Sequence, residues 1–257
     1  MSYKLSELNE LYLNYSRNYR GINFTDIRVD IPFLVVDPNI KDESGFNADL
    51  GIRGAVADKY QFDVSVFYLS YEDRIGNTLV QTDTTIRTFT YRTNIGNASI
   101  FGFESYGEAR IFESPFVAFA NFAWIYSEYT EILVEGTNLG DLVEGNRVEL
   151  APEINLKTGV KYKGENLKGS LLLSYVSEQF SDAANTERIN SGIEGVIPAY
   201  MILDFALTYN WKKYTVGSGI NNILDEQYFS RRAAGYPGPG LIPSQPRSFY
   251  LTLEVRF

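Results

Sequence analysis

The sequence predicts an all-β fold, a transmembrane antiparallel up-and-down β-barrel. Three observations carry this. Apolar and polar residues alternate at period two in run after run, the links between runs are alternately short and long, and 15% of the 257 residues are aromatic, with 19 Tyr and 17 Phe. Mean hydropathy is -0.18, and no stretch reaches the roughly 18 to 20 continuous apolar residues a membrane helix needs. Only alternate residues of a barrel strand face lipid, so this average excludes a helical span and leaves a strand-built one open.

The alternation is plain in four segments. Phe46, Ala48, Leu50 and Ile52 oppose Asn47, Asp49, Gly51 and Arg53. Ile154, Leu156, Thr158, Val160 and Tyr162 oppose Glu153, Asn155, Lys157, Gly159 and Lys161. Met201, Leu203, Phe205, Leu207, Tyr209 and Trp211 oppose Ile202, Asp204, Ala206, Thr208 and Asn210. At the end of the chain Phe249, Leu251, Leu253, Val255 and Phe257 form a wholly apolar row against Tyr250, Thr252, Glu254 and Arg256. Filling the gaps gives about ten strands, near residues 8–17, 45–56, 60–73, 85–112, 116–129, 149–163, 167–179, 199–211, 214–224 and 246–257. Within 116–129 the row Phe116, Ala118, Phe122, Trp124 and the row Val117, Phe119, Ile125 are both apolar, so either could face outward.

Between these strands, Ala57-Asp58-Lys59, Glu113-Ser114-Pro115, Gly164-Glu165-Asn166 and Lys212-Lys213 are tight links, and the other connections are long. Short turns on one rim and long loops on the other are expected of an outer-membrane barrel. With the first strand running outward, the tenth runs inward and ends at the periplasmic rim. A soluble β-sandwich would also alternate. Strands of about 11 residues, against the usual five or six, weigh against it, as do aromatics at strand ends such as Tyr162, Tyr209, Trp211 and Phe257.

The sequence has no Cys and no His. Disulfide frameworks, Cys or His metal sites, Ser-His-Asp and Cys-His chemistry are therefore excluded, and no cofactor or resident metal is expected. The net charge of -9 argues against nucleic acid. Met1-Ser2-Tyr3-Lys4 leads into polar residues rather than a signal peptide's apolar region. The expectation is a piece of a longer protein whose first strand, around Leu11 to Arg17, has lost its neighbour and presents an unpaired edge.

Several stretches resemble TonB-dependent receptors of the bacterial outer membrane. Asn94-Ile95-Gly96-Asn97-Ala98-Ser99-Ile100-Phe101-Gly102-Phe103-Glu104 is similar to that family's N-x-G-x-A-x-x-x-G-x-E strand. Asn14-Tyr15-Ser16-Arg17 with Asn23-Phe24-Thr25-Asp26, the run from Gly219 to Phe229 (Gly-Ile-Asn-Asn-Ile-Leu-Asp-Glu-Gln-Tyr-Phe), and Arg247-Ser248-Phe249-Tyr250 with a final Phe257 follow in the family's order. The resemblance implies that residues 1–257 are about ten C-terminal strands of a roughly 22-stranded barrel, without the N-terminal plug domain. It also implies that Phe249, Leu251, Leu253, Val255 and Phe257 carry the signal read by the barrel assembly machinery, although Phe257 could simply anchor at the interface.

Function and partners are implied the same way: uptake of an iron chelate such as ferric citrate or a siderophore, powered by the TonB complex through a segment outside this chain, in contact with outer-membrane lipid and lipopolysaccharide. The terminal Arg231-Arg232-Ala-Ala-Gly-Tyr236-Pro-Gly-Pro-Gly loop is most like ferric-citrate receptors. Paired guanidiniums there could grip an anionic chelate. Pairing with loop acids or lipopolysaccharide phosphates is the plainer reading of the same arginines. Arg17 and Arg20, where the first strand meets its loop, are expected near the same mouth. Glu131, Glu135, Asp141 and Glu144 read as solvated loop charge, since they lack the spacing of a calcium loop. Asp49, Arg53, Asp63, Asp204 and Glu254 are expected to pair across strands or touch the plug. Cobalamin, haem and oligosaccharides remain alternative cargoes, and a small self-contained porin, adhesin or enzyme barrel remains an alternative class.

Overall fold

The structure, a computed structural model, describes residues 1–29, 34–57, 59–81, 88–134, 144–187, 195–233 and 240–257. In chain order its strands are β1 (Ser2–Lys4), β2 (Asn9–Arg20), β3 (Leu34–Val36), β4 (Glu43–Val56), β5 (Tyr60–Gln81), β6 (Thr88–Arg110), β7 (Phe116–Ile132), β8 (Ile154–Lys163) and β9 (Leu167–Val176). They continue as β10 (Gln179–Phe180), β11 (Val196–Ile197), β12 (Tyr200–Trp211), β13 (Tyr214–Asn221), β14 (Phe229–Ala233), β15 (Gly240–Pro243) and β16 (Ser248–Val255), with one short helix, α1 (Phe24–Ile27). One antiparallel wall runs β1-β2-β4-β5-β6-β7-β8-β9-β12-β13-β16, with β3 added in parallel beside β6. All ten predicted strands are in it. Among the described residues its two ends, β1 and β16, do not pair with each other, so the wall is open there.

Register settles which face meets lipid. Partners across an antiparallel pair share a face, so one row can be followed from strand to strand. Leu50 faces Leu13 and Val66, Val66 faces Phe103, Phe103 faces Trp124, and Trp124 faces Ile154. Farther along, Val160 faces Leu171, Leu171 faces Phe205, Phe205 faces Ile220, and Ile220 faces Phe249. This row is apolar, and Leu13, Leu50, Leu171, Phe249, Leu251 and Leu253 on it are exposed. In β7 the outward row is Phe116, Ala118, Phe122 and Trp124, which resolves the ambiguity left by the sequence.

The opposite face is polar, and side chains from strands two apart meet on it. Tyr12 Oη donates to Asp63 across β4 at 2.7 Å, and Lys161 reaches Glu108 across β7 at 3.1 Å. Such contacts require a concave surface, so the polar face is the lumen. Several of its other charges have partners: Asn14 donates to Asp49 at 3.0 Å, Arg53 bonds Glu10, Asp204 accepts from the Asn222 amide at 2.8 Å, and Arg256 bonds Glu254, two residues before it, at 3.3 Å.

Departures from the predicted boundaries have local causes. β5 continues to Gln81 because the break in its alternation at Tyr71–Arg74 is a bulge, with Asp73 at φ 55°, rather than an end. β8 begins at Ile154, not at residue 149, because Pro152 has no N–H for the ladder. β13 ends at Asn221 because Asn222 turns left-handed at φ 52°. The lower part of β2's edge, expected to be bare, is covered: Ser2, Tyr3 and Lys4 pair with Tyr12, Leu11 and Glu10. The Ser6 hydroxyl closes that hairpin by accepting from the Leu8 and Asn9 amides at 3.3 and 3.1 Å.

An exposed apolar residue is at home only if lipid covers it. Leu50→Arg on the outward row should therefore cost about 2–4 kcal/mol in urea unfolding from lipid vesicles, while Asn47→Arg on the lumenal row should cost less than about 1 kcal/mol. Equal losses would contradict the lipid-facing assignment.

Candidate functional site

At 22 and 23 residues, β5 and β6 are far longer than the 8 of β13 or β16. At about 3.3 Å per residue they rise about 70 Å, well beyond a hydrocarbon core of about 30 Å. The buried cluster lies in this extension, against the lumenal side of β6 and β7. Ile95, Ala98, Tyr129, Val148 and Ala183 pack together there, with Tyr71 and Ile132 at the margin. The connections after β7 and after β9 thus fold over the mouth and are fixed to the wall.

Polar side chains do the fixing. Asn185, left-handed at φ 54°, accepts from the Arg147 amide at 2.7 Å and donates to its carbonyl at 2.8 Å, standing in for a strand partner. Arg74 bonds Glu149 at 2.9 Å, and Tyr129 Oη donates to the same carboxylate at 2.8 Å. Arg20 bonds Asp26 at 2.7 Å and Glu43 at 3.1 Å, and Arg147 bonds Glu153 at 2.6 Å. Arg92 donates to the Thr25 carbonyl at 2.6 Å and so holds α1 to the rising β6. In the loop before β4, the Thr93 hydroxyl and the Asn39 amide donate to Asp37 and hold its carboxyl below the usual carboxylate range; the Tyr19 hydroxyl and the Ile22 amide do the same for Asp42.

The arginines expected to act together are separated. Arg231 and Arg232 lie opposite Ile242 and Leu241 in the β14–β15 hairpin, and consecutive strand residues point to opposite faces. Arg232 is turned inward, donating to the Val196 carbonyl at 2.8 Å with its guanidinium 5.2 Å from the Phe229 ring centre. Arg231 is exposed, and no carboxylate lies within 4.0 Å of it among the described residues. Tyr236, Glu135 and Asp141 lie outside the described residues. Glu131 accepts from Asn97 at 2.6 Å.

Arg17 and Arg20 also part. Arg17 faces Phe46 on the outward row, between Tyr15 and Tyr19, whereas Arg20 faces Glu43. Residue spacing in the sequence places Arg17 three positions from Arg20, an odd interval that puts them on opposite faces. The Arg74–Glu149 contact was missed by sequence reasoning, because the partners are 75 residues apart. A stacked pair, Tyr200 and Tyr228 with centroids 4.5 Å apart, was missed as well. The terminal apolar row is placed as read: Phe249, Leu251, Leu253 and Val255 face Ile220, Ser218, Val216 and Tyr214, and Phe257 follows β16 fully exposed.

The profile of the family described as "TonB dependent receptor-like, beta-barrel" matches residues 1–223. Among solved structures, the unliganded ferric citrate transporter FecA superposes with a TM-score of 0.73 at 22% identity, covering 100% of this chain and 37% of that one. The copper transporter OprC gives 0.74 at 16% identity, covering 100% and 37%. The ferric yersiniabactin uptake receptor FyuA from Yersinia pestis gives 0.73 at 19% identity, covering 100% and 36%. The chain therefore spans little more than a third of the length of these structures. Comparison with curated protein sequences finds no match.

Proposed function

Since the chain belongs to the TonB-dependent receptor-like β-barrel family of the bacterial outer membrane, we propose that it forms the C-terminal wall of a receptor that takes up an iron chelate such as ferric citrate or a siderophore. The carrying observation is the charge arrangement at the mouth. Arg20, Arg74 and Arg147 each bond a carboxylate, whereas the exposed Arg231 has none among the described residues. A guanidinium with free donors suits the carboxylates of an anionic chelate. In this reading Arg232 sets the hairpin's position by its bond to Val196, and Tyr236, outside the described residues, is a further candidate contact from the same stretch of sequence.

Energy coupling to TonB and a plug domain belong to parts of the receptor outside residues 1–257. Arg17, beside Tyr15 and Tyr19 on the outward row, suits a lipopolysaccharide phosphate better than cargo in this reading. The row from Phe249 to Phe257 is the surface offered to the barrel assembly machinery. A cargo with a ring face for an aromatic side chain to cover, such as cobalamin, haem or an oligosaccharide, is the second reading, favoured by the stacked Tyr200 and Tyr228.

Binding of radiolabelled ferric citrate, and of a panel of ferric siderophores, to outer membranes separates these readings. Arg231→Ala should weaken an anionic chelate roughly 10- to 100-fold, the value of a charge-assisted hydrogen bond. Tyr228→Ala should matter less. Unchanged affinity in Arg231→Ala with a large loss in Tyr228→Ala would replace the arginine-held chelate with a cargo held by aromatic stacking.

A further inference from the structure

At the periplasmic rim the turn between β12 and β13 is only Lys212-Lys213, and Trp211 and Tyr214 close it as a directly opposed pair. Both rings belong to the outward row, because Tyr214 faces Val255 and Tyr209, two residues before Trp211, faces Val216. They stack with centroids 5.9 Å apart and planes 26° from parallel. The two lysines follow the rings. Lys212 Nζ lies 5.4 Å from the centre of the Trp211 ring and Lys213 Nζ 5.9 Å from that of Tyr214, close enough to be drawn to their negative faces. Two adjacent ammonium groups are thus held on the lipid side of the wall, at the level where outward aromatics meet the headgroups.

Neither ammonium has a counter-charge. Among the described residues no carboxylate lies within 4.0 Å of Lys212 or Lys213, in a protein of net charge -9. At the same rim Lys59 bonds Glu113 at 2.6 Å, Lys163 bonds Glu108 at 3.3 Å and Arg256 bonds Glu254 at 3.3 Å. Lys4, Arg110 and Lys168 make no such bond, but they sit on the lumenal row, opposite Glu10, Val117 and Thr208. Lys212 is also left-handed at φ 53°, a conformation that Gly or Asn adopts with less strain. Toward the membrane centre the next outward positions of β13 are short: Val216 lies between Tyr209 and Leu253, and Ser218 between Leu207 and Leu251. Short side chains between two longer rows leave a shallow channel that rises from the lysines. From Tyr214 to Ile220 it climbs about 20 Å, enough to cross half of a hydrocarbon core of about 30 Å.

We propose that Trp211, Lys212, Lys213 and Tyr214 bind the headgroup phosphate of an anionic glycerophospholipid in the inner leaflet, with one acyl chain lying along β13. A phosphate between two neighbouring ammonium groups supplies the counter-charge the turn lacks. A zwitterionic headgroup brings its own cation and gains less. Lipopolysaccharide phosphates belong to the opposite rim, and a chelate in the lumen is on the wrong side of the wall. An exposed ion pair alone is weak. Here the acyl chain fixes the headgroup beside the turn, and each lysine adds to the attraction of the anionic lipid. The inference rests on the outward row and the short-turn rim, not on the identity of the cargo.

Trp211 reports on the site directly. The receptor is reconstituted in phosphatidylcholine vesicles containing a minor fraction of phosphatidylglycerol, with bromine on the acyl chains of one lipid or the other to quench a tryptophan in contact. The difference between wild type and Trp211→Phe isolates the signal of this ring. Brominated phosphatidylglycerol should quench Trp211 as though enriched roughly tenfold over its bulk fraction, and less so as salt is raised. Lys212→Asn with Lys213→Gln, in which Asn suits the left-handed position, should return that quenching to the bulk fraction. Quenching by brominated phosphatidylcholine should persist, showing that the ring still faces lipid. Lys213→Gln alone, which leaves the strained residue untouched, should lose part of the preference. Equal quenching by the two lipids in the wild type, or a preference that survives in both variants, overturns the proposal. Carbodiimide coupling of either lysine to a carboxylate of another polypeptide, with no lipid preference, overturns it as well and gives the turn to an acidic partner.

Discussion

Arg74→Ala is expected to destabilise the protein by about 3 kcal/mol and to release the connection after β7 from the mouth. The bulge at Tyr71–Arg74 aims this guanidinium into the lumen, and two asparagines secure the bulge. Asn97 accepts from the Asp73 amide at 2.9 Å, and Asn94 donates to the Asp73 carbonyl at 2.6 Å. The opposite end of Asn94 accepts from the Lys41 amide at 2.7 Å, tying the neighbouring loop to the same point. So directed, Arg74 bonds Glu149 with only 21% and 17% of the two side chains exposed. Removing the cation leaves a mostly buried carboxylate held by Tyr129 alone. Breaking a buried pair in this way typically costs about 3–5 kcal/mol, and the residual exposure places Arg74→Ala at the low end. Glu149→Gln in the Arg74→Ala background should recover more than half of the loss, because the amide still accepts from Tyr129 and carries no charge. Urea unfolding in lipid vesicles supplies the energies, and limited proteolysis near residues 144–151 reports the release. A loss in Arg74→Ala of under about 0.5 kcal/mol, or no recovery in the double variant, would show that the pair is solvated and does not hold the loop.

The same bulge shows why the wall was legible in the sequence and the mouth was not. A strand repeats every two residues, so rows such as Phe249, Leu251 and Leu253 announce both the element and its lipid face. At Tyr71–Arg74 the repeat breaks, and a break in the repeat looks like a strand end even though the strand goes on to Gln81. Asn94-Ile95-Gly96-Asn97-Ala98 could be matched to a family pattern, but its physical role needed the structure. Its asparagines replace ladder hydrogen bonds at the bulge, Ile95 and Ala98 fill the buried cluster, and a Cβ on Gly96 would strike the Glu131 carbonyl oxygen. Candidate binding residues fared worse because adjacency in sequence was taken for adjacency in space. In a strand, Arg231 and Arg232 must diverge. Arg17 and Arg20 diverge for the same reason, and pairs such as Arg74–Glu149 leave no local trace.

Asn222→Ala should cost about 3–5 kcal/mol, and two substitutions at this one site separate the causes. Asn222 is 3% exposed and sits at φ 52°, where β13 gives way to the loop that carries Arg231. Its side chain serves both ends of that loop. Oδ1 accepts from the Glu226 amide at 2.9 Å, and Nδ2 donates to the Glu226 carbonyl at 2.9 Å and to the Gln245 carbonyl at 3.4 Å. Glycine tolerates the left-handed backbone but supplies none of these bonds, so Asn222→Gly should lose about 2–3 kcal/mol through buried groups left unpaired. Alanine loses the same bonds and adds about 1–2 kcal/mol of backbone strain. The difference between the two variants therefore measures the backbone contribution, and the loss in Asn222→Gly measures the hydrogen bonds. Because the bonds to Glu226 and Gln245 close the base of the loop, both variants should also weaken the chelate binding proposed for Arg231, although Asn222 lies outside that proposed contact. If Asn222→Ala unfolds within about 0.5 kcal/mol of the wild type, the loop is not closed at its base by this residue. Arg231 must then be positioned by the β14–β15 hairpin and the Arg232 bond to Val196 alone.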